Sequence, residues 1–419
     1  MSRVKKFLKN LGPGFITGAS DDDPSGIATY SQTGAIFGLT QLWTALFTFP
    51  LMTAVQEMCG RIGLVTGKGL SGVMKQHYSR PVVYICVFLL VVANTINIGA
   101  NLGAMAASAN LLVPIPSIIW LFIITFTILV LEIFVSYQTY AKFLKYLALS
   151  LLAYVATAFI VKVNWIEVIK ATLIPRISLE MSYVINIVAI FGTTISPYLF
   201  FWQADEEVEE QIMRGRITSF GKGLPKVTKG DISNLRKDTM IGMFFSNIVM
   251  WFIIITTGTV LHVNGTIIET PHDAAEALRP FAGDFAFVLF AAGIIGTGLL
   301  AVPVLSGSAA YAVSEALNLK TGLNLKFKKA YGFYGVIIVA TLVGVLVNFL
   351  GIPSMKMLYY SAVINGLIAP VLLVMILLIA NNKKIMNIRT NSRLQNILGV
   401  TTIVVMSVAG AILIYDLLK

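Results

Sequence analysis

What most constrains this chain is a succession of apolar stretches, each about 20 residues long, that fills its 419 residues almost from end to end. At about 1.5 Å of rise per residue, a helix of that length matches the hydrocarbon thickness of a bilayer. No water reaches backbone N–H and C=O groups inside lipid, so only helices or a closed barrel can span it. The runs are continuous rather than alternating, which selects helices. Eleven spans are read, at 12–37, 41–64, 82–106, 117–137, 139–161, 183–204, 239–261, 285–313, 331–350, 354–380 and 396–415. Composition agrees: 57% of residues are hydrophobic and 12% charged, half the charged share of an ordinary soluble domain. Cys59 and Cys86 lie in or beside apolar runs and are read as small buried hydrophobes. The three histidines are scattered and cannot form an imidazole cluster. No nucleophile–base constellation, phosphate loop or zinc spacing is present, so neither an enzyme nor a resident cofactor is expected.

The net charge of +11 raises the question of nucleic acid, and the placement of the basic residues answers it. With a cytoplasmic N-terminus, the inner connections hold 25 of the 31 Lys and Arg residues and the outer ones 6. That alternation is the signature of membrane topology, not of a nucleic-acid surface. A multi-pass protein of the plasma (inner) membrane follows, with the C-terminus outside and a monomer expected.

The first and sixth spans contain residues that do not belong in lipid. In the first, Asp21, Asp22 and Asp23 precede Pro24, Ser25 and Gly26. From Gly12 to Asp23 is about 16 Å of helix, close to the bilayer midplane. In the sixth, Pro197 follows Thr193, Thr194 and Ser196. Proline removes a backbone donor, so each span is expected to be two half-helices with an unwound joint. Matching breaks in spans one and six point to an inverted repeat of five plus five helices, 12–161 and 183–380, with 396–415 added, in one transmembrane domain over 1–419. Both half-helices that end at the breaks would direct C-terminal carbonyls and partial negative charge inward. With Asp23 beside them, the site favours a cation. Ionisable groups at that depth are costly and usually functional. Asp21 and Asp22 are expected on other faces, lining a wet inner vestibule.

Asp23-Pro24-Ser25-Gly26 resembles the Asp-Pro-Gly-Asn motif in the first helix of the Nramp divalent-metal transporters, and LGPGFITGAS and CGRIGLVTG (59–67) fit the same family. Its sixth-helix pattern Ala-x-x-Met-Pro-His corresponds here to Thr193-Thr194-Ile195-Ser196-Pro197-Tyr198. The resemblance therefore replaces a thioether by a hydroxyl and a histidine by a tyrosine. The first-helix asparagine ligand becomes Gly26, and the tenth-helix glutamine falls at Ala362. The third helix, acidic in that family, carries only Asn94, Asn97 and Asn101. This combination is similar to the Nramp-related magnesium branch.

Thioethers favour softer metals, whereas carboxylate, hydroxyl, carbonyl and water suit Mg²⁺, which keeps several waters when bound. The resemblance thus implies a substrate of Mg²⁺, with Mn²⁺ also carried, held by Asp23, Gly26, Thr193, Thr194 and Ser196. Asp22, Asn97, Asn101, Tyr198 and Ala362 would line the path. Loss of titratable groups implies transport without a proton. The rivals are a proton-coupled Mn²⁺/Fe²⁺ importer, a sodium-coupled organic solute carrier and a non-transporting receptor or scaffold. Elsewhere, Glu57 and Arg61 are spaced for an ion pair. Glu132 is placed near an interface without a role. The acidic run 205–210 is read as a solvated loop or a cation-collecting mouth, in a flexible connection that extends to 238.

Overall fold

The computed structural model describes residues 12–135, 149–223 and 225–419. Its regular elements are helices, and no strand occurs among the described residues. In chain order the principal helices are α1 (Pro13–Asp21), α2 (Pro24–Phe37), α3 (Trp43–Thr66), α4 (Leu70–His77), α5 (Arg80–Leu112), α6 (Ser117–Phe134), α7 (Leu152–Ile160) and α8 (Trp165–Leu173). Then follow α9 (Met181–Thr194), α10 (Pro197–Met213), α11 (Lys229–Val260), α12 (Ala286–Leu317), α13 (Tyr331–Val347), α14 (Ser354–Asn381) and α15 (Arg393–Leu417). Eight helical runs among the described residues are long and apolar enough to cross a membrane. The other three expected spans are the broken α1–α2 pair, the more polar α3, and 139–161, of which only 149–161 is described. Lys142, Lys145 and the basic residues of 1–11 also lie outside the described residues.

Both breaks fall where the sequence places them. After α1 the backbone turns at Asp22 (φ −81°, ψ 52°) and extends through Asp23 (φ −72°, ψ 169°), so that Pro24 opens α2 at a position needing no N–H donor. After α9 it turns at Ile195 (φ −120°, ψ 61°) and extends through Ser196 (φ −83°, ψ 135°) before Pro197 opens α10. A residue preceding proline is pushed out of helical space, so each joint is two residues long.

Backbone contact holds these half-helices in place. A Cβ on Gly18 would stand 2.3 Å from the carbonyl carbon of Gly242, so α1 lies directly on α11. A Cβ on Gly192 would stand 2.0 Å from the carbonyl oxygen of Ala362, which seats α9 on α14. In lipid, where burying apolar surface gains little, such small-residue contact is the main source of helix association.

Three expectations change. The run 205–210 is not a loop but the interior of α10, with Asp205, Glu206, Glu207 and Glu209 all buried. Since α11 begins at Lys229, the connection is confined to 214–228. Glu132 is buried rather than at an interface, its Oε1 accepting from Ser306 Oγ on α12 at 2.5 Å. Glu57 and Arg61 do pair, at 3.2 Å. Glu57 also accepts from Gln395 and Arg61 donates to Asn391, so this buried pair clamps α3 to α15 and its approach.

Candidate cation site at the paired helix breaks

Asp23 is the N-cap of α2. Its Oδ1 accepts from the Gly26 N–H at 2.8 Å and from Ser25 Oγ at 2.6 Å, as a short acceptor before a helix does. Its Oδ2 accepts from Asn101 Nδ2 at 3.1 Å and Asn97 Nδ2 at 3.4 Å, both on α5. The carboxylate is wholly buried, and these four donors replace the water an anion loses on burial. The asparagine stripe therefore divides. Asn97 and Asn101 face the break, while Asn94 donates to Leu305 O at 2.9 Å and Ser308 Oγ at 2.7 Å and packs α5 on α12.

Asp21 and Asp22 do not line a wet vestibule. Both are buried, and both accept from the single hydroxyl of Ser246 on α11, at 3.2 Å for Asp22. The close seating of α1 on α11 brings that hydroxyl within reach. Three consecutive acids thus face two ways, and no group of three His, Cys, Asp or Glu side chains converges on one point among the described residues.

The second break contributes oxygen in another form. Thr193 Oγ1 lies 3.5 Å from Ser25 Oγ and so bridges the two joints. A Cβ on Gly26 would stand 3.3 Å from both Asp21 O and Thr193 Oγ1, so the bare glycine faces oxygens from both broken helices. The Thr194 hydroxyl donates to Ile190 O within α9 at 2.6 Å, so its oxygen has lone pairs alone to offer. Ser196 Oγ also turns back, donating to Gly192 O and Thr193 O, each at 2.7 Å. It offers lone pairs only, and it occupies one carbonyl expected to face the ion. Tyr198 OH donates to Ser20 O at 3.0 Å, which ties the start of α10 to the end of α1. Ala362 is buried against α9 and supplies packing rather than a side-chain ligand.

Ser361 and Asn365 on α14 were missed. Ser361 Oγ donates to Asn97 Oδ1 at 3.1 Å, and Asn365, one turn further, is buried with neither amide atom partnered among the described residues. Two polar residues four apart in an apolar span were the available signal. Asn101 Oδ1 is likewise buried and without a donor among the described residues. The junction therefore combines one carboxylate with hydroxyl, amide and carbonyl oxygens, a donor set for a hard cation.

Comparison with known proteins places this geometry. A family model described as natural resistance-associated macrophage protein-like matches residues 14–416. A divalent metal cation transporter MntH of Caldanaerobacter subterraneus subsp. tengcongensis is 24% identical over 99% of this chain and 95% of its own length. One from Klebsiella pneumoniae is 24% identical over 98% and 95%. Among solved structures, a mutant of the Eremococcus coleocola manganese transporter superposes with a TM-score of 0.76 at 18% identity, covering 98% of this chain and 87% of that one. Mhp1, a nucleobase-cation-symport-1 family transporter in a closed conformation, superposes with a TM-score of 0.60 at 14% identity, covering 97% and 92%. At these identities the superpositions speak for the fold alone.

Proposed function

This chain belongs to the Nramp family, and on that premise we propose that it transports divalent cations, with Mg²⁺ as its substrate, carried partly hydrated and without a coupled proton. The observation that carries this reading is the donor set where the breaks meet. Asp23 is the carboxylate facing α5, and the surrounding groups are hydroxyls, amides and backbone carbonyls. Ser196 and Tyr198 stand where a thioether and an imidazole would favour a softer metal. Gly26 lets Asp21 O and Thr193 Oγ1 face one another with no side chain between them, since a Cβ there would stand 3.3 Å from each. Mg²⁺ gives up water reluctantly and binds through few protein oxygens. Transport follows by alternating access, one five-helix half (12–161) rocking against the other (183–380) about the breaks.

The absence of proton coupling rests on α5, which presents amides rather than acids to Asp23. The membrane potential supplies about 2.3 kcal/mol per elementary charge per 100 mV, so about 4.6 kcal/mol for a divalent ion, enough for accumulation without a second ion. The names of the relatives favour Mn²⁺ as the competing substrate, and buried Asp21 and Asp22 are the acids a coupled mechanism would use.

Uptake into proteoliposomes with a lumenal pH dye separates the two readings. We expect Mg²⁺ entry driven by potential alone, with no matching acidification, and its loss in Asp23→Asn. Mn²⁺ uptake at micromolar concentration without any Mg²⁺ uptake would refute the selectivity. Acidification that tracks metal entry and vanishes in Asp21→Asn or Asp22→Asn would refute the uncoupled mechanism.

A further inference from the structure

We propose that Asp205 and Glu315 form a second divalent-cation site, distinct from the paired breaks, where α10, the start of α4 and the end of α12 meet. Asp205 lies about 12 Å along α10 from Pro197. Its carboxylate is fully buried, and neither oxygen has a hydrogen-bond partner among the described residues. Asp23, equally buried, receives four donors. A buried anion with no donor is strongly disfavoured unless a cation or a proton neutralises it.

The neighbouring acid decides what kind of neutralisation the site is built for. Glu315, at the end of α12, accepts from the Gly69 N–H at 2.8 Å through Oε1, and from the Gly72 N–H at 2.9 Å and Ser71 Oγ at 3.1 Å through Oε2. Its oxygens are thereby fixed at the start of α4. A Cβ on Gly69 would stand 1.8 Å from Asp205 Oδ1 and 2.5 Å from Glu315 Oε2. The two oxygens are thus no further apart than the sum of those distances. Two oxygens bound to one Mg²⁺ at about 2.1 Å each can be separated by about 4.2 Å, so a single ion can join them.

Three other acids of α10, Glu207, Glu209 and Glu210, are committed elsewhere. Glu209 accepts from Tyr311 OH and the Leu323 N–H, each at 2.8 Å, and from Asn324 Nδ2 at 2.5 Å. Glu207 accepts from Gln203 at 3.1 Å, and Glu210 pairs with Arg214 at 2.5 Å. The Lys68 ammonium, the basic group nearest in sequence to Gly69, donates to Gln76. Asp205 is left facing Glu315 across a glycine, as a hard-cation ligand with its coordination incomplete. Two carboxylates and the Ser71 hydroxyl, completed by water, match an oxygen-seeking divalent ion, and the site lies beside the Lys- and Arg-rich connections expected on the inner side. It would bridge α10 to α12, so its occupancy would be felt by the half-helix that leads to the second break.

The inference does not depend on which ion the breaks transport. Isothermal titration of the purified full-length chain with MgCl₂, and electron paramagnetic resonance with MnCl₂ as the probe, count ions directly. We expect two ions on the wild type, one on Asp23→Asn, one on Asp205→Asn and none on the double variant. On the Asp23→Asn background, Gly69→Ala and Glu315→Gln should each weaken the remaining ion at least tenfold, which keeps the test decisive should Asp205→Asn fail to fold. A wild type that binds one ion, lost in Asp23→Asn and retained in Asp205→Asn, would overturn the site and leave a carboxyl pair sharing a proton. A wild type that binds two ions, one of them lost in Asp23→Asn, yet moves no Mg²⁺ in proteoliposomes would sink the transport reading alone.

Discussion

The two breaks use one backbone device to different chemical ends. Each ends a half-helix, passes two extended or turned residues and restarts at a proline. The first break supplies charge, with Asp23 capping α2 and drawing two amides from α5. The second supplies neutral oxygen, and most of its hydroxyls are turned inward: Thr194 and Ser196 satisfy their own helix, leaving Thr193 to face the first break. A proline break therefore creates a site only in combination with what flanks it. One carboxylate with strong support can serve a divalent ion when the opposing break adds oxygen without adding charge, because a second acid would raise the cost of the unloaded state.

The contrast can be broken first at its charged side. Asp23→Asn preserves shape and much of the N-cap but removes the charge facing α5. Losing one member of a buried charged contact costs about 2–5 kcal/mol, so at about 1.4 kcal/mol per decade tracer uptake of Mg²⁺ should fall about 30-fold or more. Uptake near wild-type level would mean that the carbonyls at the breaks suffice. Asn101→Ala tests the support of that charge. One hydrogen bond to a charged group is worth about 1.5–3 kcal/mol, and at 1.4 kcal/mol per decade the apparent affinity should weaken at least about tenfold. An unchanged titration would place Asn101 outside the site.

On the neutral side, Ser196→Met places a thioether where a hydroxyl now turns inward. Competition assays should show the preference for Mn²⁺ over Mg²⁺ rising about tenfold, in line with ligand softness; a ratio that does not move would separate selectivity from residue 196. Thr194→Val is the smallest change. Its hydroxyl serves Ile190 O only, so transport should stay within a factor of about five, the equivalent of about 1 kcal/mol for one neutral hydrogen bond. A large loss would show that Thr194 swings into the path during the cycle.

Much of this was legible in the chain because membrane physics leaves few options. Asp23, Pro24, Ser196 and Pro197 interrupt stretches that are otherwise apolar, and the Asn97–Asn101 spacing puts two amides on one helix face. Other parts needed partners remote in sequence. Ser246, 225 residues beyond Asp21, gathers Asp21 and Asp22 on α11. Ser361 on α14 orients Asn97. The run at 205–210 looks solvated in isolation, since five acids among six residues suggest water, yet it lies inside a helix, where Tyr311, Leu323 and Asn324 supply donors to Glu209 and Gln203 one to Glu207. Nothing local to a segment says where its hydroxyls will point, which is how Thr194 and Thr193 came to differ.

Taken by itself, the order of residues settled that this chain is a helical membrane protein, where two of its helices break, and that a carboxylate sits at one break. Lipid enforces each of these, since it punishes every unpaired backbone group and every stray charge. Only the packed structure decided which oxygens meet at the junction, where each hydroxyl's hydrogen goes, and that Asp205 stands beside Glu315 with nothing among the described residues donating to it. Those matters depend on contacts between helices far apart along the chain, where approach to within a few ångströms is set by small residues such as Gly18, Gly69 and Gly192 on facing surfaces.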